Sequence, residues 1–192
     1  MPDIATYPFV RHLRGTPTGH IRHQRGDRLV HDGTGLSFWF RPLSAVLSEI
    51  PVDDRELALL ISARTADFQH VTVQASVAYR ITDPAVASTR LDFSIDPDSG
   101  SWRGNPLEAI AGLLTELAQH HTLDLIATMP LMVALTSPAA VRDRAQAGLV
   151  GDPRLHDTGL SVIAVRVVAV RPEPEVERAL QTPTRGDRVP SP

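Results

Sequence analysis

Four of the eight histidines, His12, His20, His23 and His31, crowd into one stretch beside Asp27 and Asp32. Here metal or acid–base chemistry is first to be sought. His20 and His23 would share the face of a helix, but their surroundings alternate as a strand, where positions three apart point to opposite sides. Without cysteine, and without a helical His-Glu-x-x-His, no metal ligand set is legible. Glu49, Asp53, Asp54 and Glu56 gather at one turn but lack the spacing of a calcium loop, and read as a solvated turn. Gly33-x-Gly35 has no helix after it to make a phosphate loop. The two Arg-Gly-Asp triplets, at Arg25 and Arg185, are turn chemistry. His120-His121 is a helix-end pair. No serine, histidine and aspartate arrangement is legible. The expectation is therefore no catalytic, cofactor-binding or metal residue.

A basic and aromatic segment remains. Between residues 11 and 31 five arginines (Arg11, Arg14, Arg22, Arg25 and Arg28) stand against Asp27 alone. Leu36-Ser37-Phe38-Trp39-Phe40 follows, the densest aromatic cluster in the chain. Alternation makes it an ordinary strand with Leu36, Phe38 and Phe40 in the core. A second reading turns its aromatics to a bilayer interface, with the arginines on anionic headgroups. On that reading the contact residues are Arg22, Arg25, Arg28, Phe38, Trp39 and Phe40.

Such residues need a frame, and the bulk numbers say which frames are open. The 192 residues suffice for one domain or two small ones, and 42% hydrophobic with 21% charged residues is an ordinary globular balance. A formal charge of −3 argues against a nucleic-acid partner. No run approaches the ~18–20 apolar residues of a spanning helix. The start is too short and too polar for a signal peptide. The expected place is the cytoplasm, with peripheral membrane contact.

The organising stretch is Val71–Ile81, where Val71, Val73, Ala75, Val77, Tyr79 and Ile81 alternate with more polar residues until Asp83-Pro84 ends the strand. Residues 1–17 read as a flexible arm. Short strands are expected near Gly19–Gln24, Arg28–His31 and Leu43–Ile50. Glu56–Thr65 reads as a strand covered on both faces that pairs with Phe68–Thr82 as a hairpin. Asn105-Pro106-Leu107-Glu108 is a capping box opening a helix, and Ser137-Pro138 opens another that ends near Gly151. Leu160–Val170 reads as an interior strand, Glu173–Leu180 as a third helix, and 181–192 as a disordered tail. The expected organisation is α+β: a mainly antiparallel β subdomain over 18–84, then helices on a smaller sheet over 85–180.

Thr65-x-Asp67, the alternating Val71–Ile81 with Tyr79-Arg80-Ile81, and Asp83-Pro84 resemble the central signature of the SPFH (stomatin–prohibitin–flotillin, band 7) domain. So do Gly26, Gly33-Thr34-Gly35-Leu36-Ser37-Phe38 and Arg41-Pro42 upstream. Asp157-Thr158-Gly159-Leu160-Ser161-Val162, running to Arg171-Pro172, is similar to the family's closing strand. The resemblance covers roughly residues 18–180. It implies a non-enzymatic scaffold that self-associates and organises or shields partner proteins at a membrane surface. Members usually carry a membrane hairpin and a long coiled coil; neither pattern is seen here, so homo-oligomers are expected only if the last helix is extended. The rival expectation is a soluble oligomerisation module resembling the vault shoulder domain. A small hydrolase using the histidine-rich segment comes third.

Overall fold

The computed structural model describes residues 2–181. Strands β1 (Asp3–Tyr7) and β2 (Val10–Arg14) form an antiparallel hairpin, and β2 pairs onward with β5 (Ser37–Phe40). The stretch 1–17 is thus not a loose arm. Leu13 at its end is fully buried, and the apolar partner that anchors the hairpin is Phe38, far along the chain. A second antiparallel sheet has the order β4 (Arg28–Thr34), β3 (Gly19–Arg25), β6 (Val46–Pro51). Leu43 and Ser44, expected to begin the strand over Leu43–Ile50, instead lie in a 3₁₀ turn at Pro42–Ser44. Proline presets its first position.

The alternation at residues 71–81 becomes the middle strand of a third sheet. β8 (His70–Ile81) pairs antiparallel with β7 (Arg55–Arg64) on one side and β9 (Leu160–Pro172) on the other. Val73 and Val77 are fully buried, and Tyr79 nearly so. Strand β7 alternates strictly: Leu59, Ile61 and Ala63 point into the core, and Ala58, Leu60 and Ser62 point out. It is covered on one face, not two. Strand β9 is likewise not interior: in this sheet it pairs only with β8, and two irregularities in register bend it. Its apolar run reads as two-sided because Ile163 and Val168 remain exposed.

Helices cover the inner face. α1 (Pro84–Arg90) follows β8 at once, its first turn closed by the Asp83 carboxylate accepting from Val86 N–H. α2 (Pro106–Ile126) buries Ile110, Leu114, Leu117, Ala118, Thr122 and Ile126, a stripe at helical spacing. Its expected capping box is altered: Asn105 donates to the Glu108 side chain and makes no side-chain bond to the backbone. α3 (Leu131–Thr136), α4 (Pro138–Gly151), α5 (Pro153–Asp157) and α6 (Pro174–Gln181) complete the described chain. The tail expected over 181–192 lies outside the described residues beyond Gln181.

The division into subdomains falls elsewhere than residue 84. One core joins β7, β8 and β9 to α2 and α4; the other joins Leu13, Ile21, Phe38, Phe40, Leu47 and Ile95. Strand β8 therefore belongs with the helices that follow it. The chain changes core within β6, where Leu47 enters the smaller core and Ile50 the larger. A return segment bridges the two: Ile95 N–H donates to Leu47 O, Phe93 enters the larger core, and Ile95 enters the smaller.

Candidate functional site

The two N-terminal sheets do not close against each other at one end. They leave an open cleft of about 460 Å³ lined by Val10, His23, Arg25, Val30, His31, Trp39, Phe40, Arg41 and Ser44. Each element delivers its residue by period-2 geometry. On β3, Ile21 and His23 face inward, and His23 is only 5% exposed. Its ring stacks 5.0 Å from Phe38, and His31 stacks 4.0 Å from the same ring. The two histidines meet Nδ1 to Nδ1 at 2.9 Å. One ring must donate and the other accept, so the pair holds one proton between them. Burial holds the His23 pKa below the ordinary histidine value, helped by His31 and the Arg25 guanidinium.

The mouth of the cleft is apolar and basic. Phe9 forms the tip of the β1–β2 turn, next to lining residue Val10, and is 91% exposed. Its φ of 68° is left-handed, a conformation that costs a bulky residue about 1–2 kcal/mol. Leu43, next to lining residue Ser44 in the 3₁₀ turn, is fully exposed. Trp39 is 56% exposed and is flanked by Tyr7 and His12 at 5.0 and 4.8 Å. A shallower depression past Arg25, Arg28, Leu29 and Val30 adjoins the cleft.

The six residues expected at a membrane divide sharply. Arg25, Arg28 and Trp39 are exposed at this end. Phe38 and Phe40 are buried in the smaller core, as alternation alone requires, and cannot meet a bilayer. Arg22 is also unavailable: its side chain is 14% exposed, and it lies 3.4 Å from Asp32. It donates to Ala85 O and Ser88 Oγ, pinning β3 to α1. Phe9, Arg41 and Leu43 were missed. An apolar residue at each of two proline-containing turns, Pro8-Phe9 and Pro42-Leu43, was the available signal.

The other chemistry-bearing residues do not converge. His20 binds Asp32 at 2.6 Å, while His12 contacts Ser37 Oγ at 3.1 Å on another sheet. Among the described residues no group of three or more histidine or acidic side chains could hold a metal. The acidic turn disperses. Asp54 binds Arg80, Glu56 accepts from Ser76 Oγ, and Glu49 is buried with its pKa raised chiefly by burial. The turn is therefore not wholly solvated.

The patterned residues of the central stretch are structural. Asp67 accepts from Thr65 Oγ1 and from Leu131 N–H, so it caps α3 from the β7–β8 turn; those bonds, that from Thr65 foremost, lower its pKa. Gly159, at φ 70°, receives Thr82 and Asp83 N–H on its carbonyl, and a Cβ there would come 2.5 Å from Asp83 O. Residues 16–188 match the family model described as SPFH domain / Band 7 family. No curated protein matches the chain.

Proposed function

Because the chain belongs to the SPFH domain / Band 7 family, whose members are membrane-associated, generally non-enzymatic scaffolds, we propose that it works as a peripheral scaffold at a membrane surface. There it self-associates and organises or shields partner proteins. The observation that supports this reading is the cleft end of the N-terminal sheets, where Phe9 and Leu43 project from adjacent turns beside Arg25, Arg28 and Arg41. Burying each of these side chains in the acyl boundary contributes about 1.5–3 kcal/mol, and each nearby arginine about 1 kcal/mol on anionic lipid. That sum gives a reversible, salt-sensitive grip. Among the described residues no helix is long and apolar enough to cross a membrane, so on this reading the described part lies on the surface.

The test is co-sedimentation with vesicles containing anionic lipid, at low and high salt. Phe9→Ser combined with Leu43→Ser removes only exposed side chains and should weaken binding about tenfold or more. Binding unchanged in the double variant, or absent in the parent chain, sinks the reading.

One observation favours a soluble assembly module instead. The outer face of β7 is uncovered by any described element, with Leu60 74% exposed. Stable oligomers in sedimentation without lipid, lost in Leu60→Glu, would put that second reading in front.

A further inference from the structure

Of the nine cleft-lining residues all but Ser44 are cationic, titratable or broadly apolar, and none is a carboxylate. Arg25 reaches the space from β3 in one sheet, and Arg41 from the end of β5 in the other. Neither guanidinium has an ion-pair partner among the described residues, whereas Arg11, Arg22, Arg55 and Arg80 nearby each lie against an aspartate. Between them lies the imidazole pair, with Val10, Val30 and Trp39 forming apolar walls. Two guanidinium forks match the oxygens of a phosphate better than a single carboxylate. The volume is that of a small-molecule site.

We propose that this cleft binds the phosphate of a phosphorylated amphiphile, with Arg25 and Arg41 on its oxygens and Val10, Val30 and Trp39 against its organic part. The proposal rests on the membrane-surface reading only for the source of the ligand: a lipid headgroup and a free phosphate ester share the same chemistry. The His23–His31 pair couples binding to protons. A second proton breaks the Nδ1 to Nδ1 bond and places charge beside Arg25, and a bound dianion offsets that charge. The groups facing the pair are Arg25 from β3, Arg41 beyond β5, and the apolar Phe38, Phe40, Val10 and Leu47; Asp27 and Arg28 lie in the adjoining turn. While the phosphate keeps its charge, protonation of His23 therefore strengthens its binding, and bound phosphate raises the His23 pKa in return.

The experiment follows the ring resonances of His23 and His31 in the full chain during titration with inorganic phosphate and with glycerol 3-phosphate. In parallel, phosphatidylcholine vesicles with and without phosphatidic acid are sedimented with the same protein. Arg25→Gln and Arg41→Gln alter only exposed side chains. Both ring signals should shift saturably, the His23 titration midpoint should rise with ligand, and His12 and His20 should not respond. Either variant should weaken binding about tenfold. No saturable shift, or shifts in both variants undiminished from those of the parent, overturns the cleft proposal. Vesicle binding that persists in Arg41→Gln with silent histidines also overturns it while leaving the membrane reading intact. Phosphate binding lost in Arg41→Gln with no vesicle binding supports the cleft as a site for a free phosphate ester and sinks the membrane reading.

Discussion

At the scale of single residues, His23 shows how burial changes a side chain's meaning. In sequence it is one of four clustered histidines, but only it lies among the nearly inaccessible core residues, stacked on Phe38. Its pKa is lowered, first by burial and then by His31 and Arg25. The unfolded chain therefore binds the proton more readily than the folded one. Stability from this group is complete above the ordinary histidine pKa and is lost as pH falls through the lowered value. His23→Phe keeps the ring stack and removes the titration. Its unfolding free energy, from urea melts across pH 5 to 8, should depend less on pH than the parent's. An unchanged slope would show that another group carries it.

Elements were legible where one face is buried and their partner is close in sequence. The β7–β8 hairpin, α2 and α4 follow from alternation, proline starts and helical spacing. The hairpin β1–β2 was not, because its partner β5 lies more than twenty residues downstream and its own apolar signal is short. At this scale Val77 is decisive. It is fully buried, paired with Leu57 and Val165 across both neighbouring strands. Val77→Asp places an unpaired carboxylate under α2 and α4 and should cost about 4 kcal/mol or more. Since β8 lies in the larger core, the helical part should melt with it, rather than the N-terminal sheets first. Retention of the parent melting temperature would show the strand's facing to be misassigned.

Across the whole molecule the two cores are joined by few side chains, and Trp102 is chief among them. It packs against both clusters, its ring lies 6.5 Å from Phe93, and its indole N–H donates to Glu49 O at 2.8 Å. Arg22 adds a polar strut from β3 to α1. Trp102→Ala should cost about 2–4 kcal/mol, since the ring is partly rather than fully buried. More tellingly, it should split unfolding. Far-UV signal and near-UV signal from Trp39, which sits in the N-terminal sheets, should no longer change together. Coincident transitions in that variant would mean the cores are coupled without Trp102, by the backbone bridge and the Arg22 strut.

The sequence by itself determined the family, the α+β order, and the facing of β8 and β5. Those rest on local physics: periodicity, caps and turn chemistry act within a few residues. Alternation already held that Phe38 and Phe40 belong to the core, and the structure sides with it against the membrane alternative. Only the tertiary structure decided that Arg22 is a strut, that β8 belongs to the second core, and that Val10, Arg25, Arg41 and the His23–His31 pair surround one cleft. These residues come from three strands of two separate sheets and from a turn. Their meeting depends on how the sheets splay, which no pattern within a single strand encodes.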